Sequence, residues 1–249
     1  RHSQSVIRCG EKSQCYHCYP DNEPMGTEAL YVESCCLAVM DSREQEPTQQ
    51  HDTATQPTDG FDEEKARRGA RLLLEAAGRD PDSAGLSDTW SRRVPDMFET
   101  LTEGARSESK PIMRTFDAET DGLIVKTGIP LHSMCEHHML PFRGVAHVAY
   151  RPGDQMVGLS KLIRYVRWQS RQLTTQETLT RDIAVGLSDE LDAHGVVVEV
   201  TATHMCEVMR GIETETETTT REHVGTINEA DRTQFRESVR RHTGGPNGR

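Results

Sequence analysis

Long apolar runs and aromatic residues are both scarce in this sequence. No stretch approaches the roughly 20 consecutive apolar residues that a membrane-spanning helix needs, and no segment has the charged-then-apolar character of a signal peptide. We therefore expect a cytoplasmic protein. Only 34% of the 249 residues are hydrophobic and 5% are aromatic. The chain is long enough for one substantial domain, but its core must be economical.

Positive charge is also scarce. Lysine occurs only five times, and the formal net charge is −11. A nucleic-acid backbone selects proteins with a basic face, so this balance argues against DNA or RNA as a partner. We expect neither nucleic acid nor a membrane to be bound.

The N-terminal residues 1–60 differ from the rest of the chain. They show no sustained periodicity and end in DSREQEPTQQHDTATQPTDG, a polar stretch whose composition is typical of disorder. CYHC at residues 15–18 resembles half of a zinc knuckle, but no second ligand pair follows at a suitable distance. We predict that residues 1–60 are a disordered extension and that residues 1–39 are not part of the natural product. Five of the seven cysteines lie here: Cys9, Cys15, Cys18, Cys35 and Cys36.

Two helices are predicted at the start of the domain, which we assign to residues 61–249. DEEKARRGARLLLEAAGRD has acidic residues in its first turn and apolar residues at helical spacing, with Gly78 as a stop. SDTWSRRVPDMFETLTEG contains a second apolar face, but Pro95 implies that the helix begins later than Thr89. These segments form a helical part at 61–106, followed by a second part at 107–242.

Two further helices are predicted in the second part. SKLIRYVRWQSRQL has apolar residues at helical spacing and begins at Ser160, which we predict as its N-cap. TTQETLTRDIAVGLSDELDAHG is also amphipathic, with Gly195 predicted as its C-cap. Its apolar face consists of Leu179, Ile183, Leu187 and Leu191.

Strand patterns surround these helices. IMRTFDAE, GLIVKTGI and GVAHVAYRPGDQMVGLS precede them, and RPGD in the last of these indicates a hairpin turn. VVVEVTATHMCEVMRGIETETETTT follows and predicts two long strands. Its ETETETTT stretch is polar on both faces, so such a strand requires a wet lumen or a subunit contact. Helices and strands in this order predict an α+β fold with an antiparallel sheet.

A cluster of metal-binding residue types stands in HSMCEHHMLPFRG, residues 132–144. Cys135 and His138 are three residues apart, a spacing at which one turn of backbone can direct both to one ion. His204 and Cys206 are two apart in a predicted strand and so share a face. Zinc prefers thiolate and imidazole ligands, and Cys135, His138 and Cys206 would leave a fourth position for water. His137 and His204 would remain as proton carriers.

Two other interpretations of this cluster stay open. Buried cysteines are often inert small hydrophobic residues, and adjacent histidines can be surface accidents. Alternatively, His137 or His204 completes a closed, purely structural zinc site with four protein ligands.

Three blocks of the sequence closely resemble GTP cyclohydrolase I. They are SMCEHHMLPFRGVAHVAYRPGDQMVGLSKLIRYV, RQLTTQETLTRDIA and VEVTATHMCEVMRGIETETETTT, and the resemblance extends from about Phe61 to about His242. It implies a tunnelling fold, in which antiparallel sheets of five subunits form a barrel and two rings stack into a homo-decamer. It also implies hydrolysis of GTP to formate and 7,8-dihydroneopterin triphosphate, with one Zn²⁺ per subunit on Cys135, His138 and Cys206.

The resemblance further implies catalytic roles for His137, His204 and Ser160. Zinc lowers the pKa of bound water from 15.7 to about 7, which suits an attack on the unreactive C8 of guanine. His204 would then protonate N7, and His137 would act at the ribose ring oxygen.

Substrate-binding residues are implied in the same way. Gln176 and Glu177 would read the guanine edge, although Thr174 and Glu177 could instead form a capping box. The triphosphate would lie against cations near a helix N-terminus, which favours anions. The cations at these positions are Lys161, Arg164, Arg210 and Arg92, with Arg93 as the alternative to Arg92 because the usual Thr-Pro helix start is missing.

Two rival functions are less well supported by these residues. A related pterin or deazapurine enzyme would carry a three-histidine zinc site or a lone nucleophilic cysteine, and the pair Cys135 and Cys206 opposes both. A non-catalytic zinc-stabilised oligomer or nucleotide-binding scaffold would leave four retained residues unexplained: His137, His204, Ser160 and Arg210.

Overall fold

The computed structural model describes residues 60–244, which combine helices with two sheets and confirm the α+β class. The N-terminal cysteines and the CYHC segment lie outside the described residues. Within residues 60–244, no helix has the length and apolar character needed to cross a membrane.

The first helix, α1, spans Glu63–Ala76 as predicted. Asp62 caps it, because its carboxylate accepts a hydrogen bond of 2.9 Å from the backbone N–H of Lys65. Gly78 follows the helix with a φ of +70°, a left-handed conformation that glycine adopts without steric cost.

The second helix, α2, spans Val94–Leu101 and begins later than Thr89, as Pro95 implied. Pro95 lies in the first turn of α2, a position where proline is tolerated. The preceding residues Thr89–Arg93 form a short π-helix. Two 3₁₀ turns then lead to the sheets, at Glu103–Ala105 and Ser107–Ser109.

A five-stranded sheet in the order β5-β2-β3-β6-β7 organises the rest of the chain. Its neighbouring strands are antiparallel, except that β5 pairs in parallel with the end of β2. The strands are β2 (Ile124–Cys135), β3 (Pro141–Arg151), β5 (Leu173–Thr174), β6 (Gly195–His204) and β7 (Thr218–Gly225).

The hairpin predicted at RPGD is wrong. The turn leads from β3 into β4 (Gln155–Val157), but β4 pairs with β1 (Thr115–Asp117) in a separate two-stranded sheet. Both edges of β3 are already occupied, by β2 on one side and β6 on the other. No hydrogen-bonding edge of β3 therefore remains for β4.

The strand predicted at ETETETTT is also largely wrong. Residues 213–217 are exposed and lie outside any strand, and only Thr218–Thr220 belong to β7. Alternating Glu and Thr offer no apolar face that burial could stabilise. The strand before it ends at His204, and Met205–Val208 form a one-turn helix, α5.

Helices α3 (Leu159–Gln169) and α4 (Gln176–Leu191) cover one face of the large sheet. The predicted face of α4 is confirmed, since all four of its apolar residues are buried. The N-cap of α3 is Gly158 rather than Ser160, because the Gly158 carbonyl already accepts from Lys161 N–H at 2.8 Å. Ser160 therefore lies inside the first turn.

The predicted caps of α4 are each displaced. Thr175 is the N-cap and accepts from Thr178 N–H at 3.1 Å, whereas Thr174 is the last residue of β5. The helix ends at Asp192 in a left-handed conformation, which the short side chain of Asp tolerates. Gly195 instead begins β6, where the backbone passes too close to Thr226 for a larger residue.

The opposite face of the sheet carries the terminal helix α6 (Glu229–Thr243). Its Phe235 packs with Ala149 and Val197 in a small apolar cluster. Beside this cluster the sheet buries two polar residues, His147 and Glu199, which face each other across β3 and β6.

Candidate metal centre and active site

The first part of the site is a tight turn between β2 and β3. Cys135, the last residue of β2, is buried, and its backbone N–H donates to the Leu140 carbonyl at 2.9 Å. The Met139 N–H donates back to the Cys135 carbonyl at 2.8 Å, and Met139 takes a φ of +53°. These bonds fix the thiol at one end of the sheet and leave residues 136–139 exposed.

The second part comes from the end of β6. His204 is the last residue of the strand, and Cys206 lies in helix α5, so the expectation that they share a strand face is wrong. The chain turns from strand to helix between them. This turn nevertheless brings both side chains to the same place as Cys135.

Cys135, His204 and Cys206 form a candidate metal-binding group. Their sulfur and nitrogen ligand atoms all lie within 4.8 Å of one another. Two thiols and an imidazole are the donors that zinc prefers. Burial raises the pKa of the Cys206 thiol, and the neighbouring Cys135 raises it further. A divalent cation between the sulfurs would reverse this effect, since coordination deprotonates a thiol.

His137 and His138 lie on the exposed turn beside this group. The Nδ1 atom of His137 is 3.8 Å from Cys135 Sγ, and its Nε2 atom is 3.9 Å from a Glu136 carboxylate oxygen. The His138 ring meets the His137 ring edge to face, with their centroids 6.4 Å apart. His138 is therefore adjacent to the group but is not among the three residues that the fold gathers.

The ring of His204 is held on two sides. It stacks on the buried Phe142 ring, with centroids 4.7 Å apart and planes inclined by 13°. Its Nε2 atom lies 2.8 Å from the Gln176 side-chain oxygen. The supporting role of Phe142 was missed from the sequence, where this residue only indicated a core position.

Comparison with known proteins assigns the family. The profile of the GTP cyclohydrolase I family matches residues 66–241, well over half of the chain. GTP cyclohydrolase 1 of Hyperthermus butylicus is 44% identical over 152 residues, covering 61% of this chain and 77% of that protein. The enzyme of the same name from Clostridium perfringens is 41% identical over 153 residues, covering 61% and 82%.

The chain belongs to the GTP cyclohydrolase I family. It is accordingly an enzyme of this type, and its reaction converts GTP to dihydroneopterin triphosphate, the first step of folate synthesis. As a member of the GTP cyclohydrolase I family, it needs a site for a base, a ribose and a triphosphate beside the cluster of cysteines and histidine.

The cations expected at the triphosphate differ in their surroundings. Lys161 and Arg164 lie on α3, and Arg210 follows α5 on an exposed turn. Within residues 60–244 these three side chains form no ion pair with a carboxylate. Arg92 lies in the π-helix, where it is 3.5 Å from Asp88 and 3.9 Å from Asp96.

The two residues expected at the guanine differ sharply in exposure. Glu177 is exposed in the first turn of α4, whereas Gln176 is only 1% exposed. The capping box with Glu177 is not formed, because Thr175 caps the helix and Thr178 takes the third helical position. Across the described residues, no partner within hydrogen-bonding distance engages the Glu177 carboxylate.

Proposed function

We propose that the enzyme holds one zinc ion per subunit through Cys135, His138 and Cys206. The buried thiol of Cys135 and the partly buried thiol of Cys206 support this, because they are already close together and no disulfide joins them. His138 follows Cys135 by one turn and is the imidazole expected from the family motif. When bound, zinc supplies a water of lowered pKa for attack on C8 of the guanine.

His204 and His137 are the proposed proton carriers. His204 lies on the inner side of the group, with its ring held by Phe142 and Gln176, and is suited to hold a proton near guanine N7. His137, on the exposed turn, is suited to the ribose ring oxygen. Two imidazole side chains can each give and take a proton during one turnover.

The triphosphate is proposed to lie along the start of α3. Ser160 and Lys161 are in its first turn, where the helix dipole favours an anion. Arg164 is one turn further on, and Arg210 follows Cys206 closely in sequence. Among residues 60–244 these cations form no ion pair with a carboxylate, in a chain of net charge −11, which supports an anionic ligand. Arg92 is also proposed at this site, where the triphosphate would compete with Asp88 and Asp96 for its guanidinium.

Guanine recognition is proposed for Glu177. A carboxylate can accept from both N1–H and the 2-amino group of guanine. Its exposure, and its absence from the helix cap, leave both oxygens available for this purpose.

The subunit is proposed to adopt a tunnelling fold and to assemble as a decamer of two pentameric rings. The edge strand β7 has no outer neighbour among the described strands, and most of β2 extends beyond its short pairing with β5. Exposed strand edges of this length are ready to pair with another chain.

The observation that carries this proposal is the cysteine–histidine group, and one pair of variants tests it. His204→Ala should keep its zinc while GTP turnover, followed by formate release and pterin fluorescence, falls by about 10² to 10⁴. His194→Ala, at an exposed histidine outside the group, is the matched control and should change neither. Loss of zinc together with turnover in His204→Ala would make His204 a ligand and favour a closed structural site.

A further inference from the structure

The side chain of Gln176 is locked by three acceptors. Its nitrogen lies 2.8 Å from the Thr218 carbonyl, 3.0 Å from the Val200 carbonyl and 3.2 Å from the Thr220 hydroxyl, and these three acceptors share its two N–H donors. Backbone carbonyls only accept hydrogen bonds, so the nitrogen of the carboxamide must be the atom that faces them. The orientation of the amide is therefore determined by its surroundings, between β6 and β7.

This orientation determines the hydrogen on His204. The Gln176 oxygen must point to His204 Nε2, 2.8 Å away, and an amide oxygen can only accept. Nε2 therefore carries the hydrogen, and Nδ1 is the nitrogen left for the site. The stacked ring of Phe142 prevents the imidazole from tilting away from this bond.

We propose that Gln176 is a positioning residue for His204 and makes no contact with the guanine. This rests on the proposed function, in which His204 moves a proton. A base-reading amide must present free polar atoms to the ligand, but Gln176 is 1% exposed and both of its polar atoms are engaged. Neighbouring Glu177 is exposed and reads the base alone, so adjacent residues divide positioning from recognition.

The support for Gln176 extends further into the protein. The Thr180 hydroxyl donates to the backbone carbonyl of Gln176 at 2.7 Å and lies 2.6 Å from the Thr220 hydroxyl, which also contacts the Gln176 side chain. Thr180 is fully buried. Such a connected network of buried polar groups restrains its members more than one isolated bond would, which suits the precise placement of a catalytic imidazole.

The test separates positioning from recognition by kinetics. Gln176→Met has similar length but cannot accept from His204, so kcat should fall about 10- to 100-fold, with zinc content and the KM for GTP unchanged. Its preference for GTP over ITP, which lacks the 2-amino group, should also be unchanged.

Glu177→Ala is the matched comparison, and should reduce the preference for GTP over ITP. If Gln176→Met instead raises KM and loses this preference as Glu177→Ala does, Gln176 reads the base and the inference is overturned.

A second measurement needs neither a Gln176 variant nor turnover. Solid-state NMR of the zinc-loaded protein with ¹⁵N-labelled histidine, assigned by difference from His204→Ala, should show hydrogen on Nε2 of His204. Hydrogen on Nδ1 alone overturns the inference even if the enzyme is active. If Nε2 carries the hydrogen but the enzyme does not turn over GTP, the contact between Gln176 and His204 is supported and the proposed function is rejected.

Discussion

Gly144 lies in β3 opposite Ala202 of β6, close to the site. A Cβ atom on Gly144 would lie 2.6 Å from Ala202 Cα and 2.8 Å from Ala202 Cβ, and would also meet the Thr201 carbonyl oxygen. These neighbours are backbone atoms or a methyl group fixed to the backbone, so no side chain can rotate away. Gly144→Ala must therefore move one strand relative to the other.

The expected size follows from two opposing effects. Replacing glycine by alanine inside a regular element usually stabilises by about 0.5–1 kcal/mol, because the unfolded chain loses freedom. Overpacking of a close-packed region costs about 1–3 kcal/mol. We expect Gly144→Ala to be destabilised by a net of roughly 1–2 kcal/mol. Zinc content should also fall, because the displaced strand ends at His204 and leads to Cys206.

Urea unfolding of the zinc-loaded protein at one protein concentration measures this effect. If the unfolding free energy falls with urea at the same slope in both proteins, the difference in midpoint reports stability alone. Gly69→Ala is the matched control. Gly69 lies in α1, with nothing within 4 Å of an added Cβ, so the same substitution there should stabilise by about 0.5–1 kcal/mol. An equal gain at Gly144 would refute the reasoning from close strand contact.

Four further predictions follow from the same structure. Cys206→Ser should lose both zinc and turnover, and full metal content by elemental analysis would show that the ligand set is wrong. Burial lowers the pKa of His147, while Glu199 opposes the shift. Below about pH 6.5 the unfolded chain therefore binds more protons than the folded chain, and the urea midpoint should fall as the pH decreases through that window. A midpoint that rises would contradict this. Arg210→Ala should raise the KM for GTP more than that for guanosine, and equal changes would remove Arg210 from the triphosphate site. A chain that begins at Met40 should assemble and turn over GTP like the full chain, since earlier residues show no pattern able to pack; lost turnover would give the N-terminal cysteines a role.

The apolar faces of the helices were predicted better than the residues at which the helices begin and end. The four-residue apolar face of α4 was correct, because periodic burial is a strong and local signal. Its caps were displaced, since Thr174 and Thr175 are chemically equivalent candidates and only the pairing of β5 with β2 decides between them. The same limit applies to Gly195, which is glycine because of its neighbour Thr226 rather than because of a helix end.

Strand pairing could not be predicted from local pattern. RPGD is a good turn sequence, and the chain does turn there, but the partner of β4 depends on which strand edges are already occupied. The meeting of Cys135 with Cys206 was anticipated from residue type and family resemblance. The position of His204 beside them was anticipated as well, but the strand-to-helix turn after β6 was not, because the sequence continues the strand pattern through Cys206.

The turn between β2 and β3 and the end of β6 have a consequence for the order of folding. The β2–β3 pair is local, so it can form early, whereas β6 must return from a distant part of the chain to dock on β3. Cys135 and Cys206 therefore meet only after most of the sheet is assembled. An ion that requires both thiols has little to bind in the folding transition state. Metal loading should accordingly prolong the lifetime of the folded chain without hastening its formation.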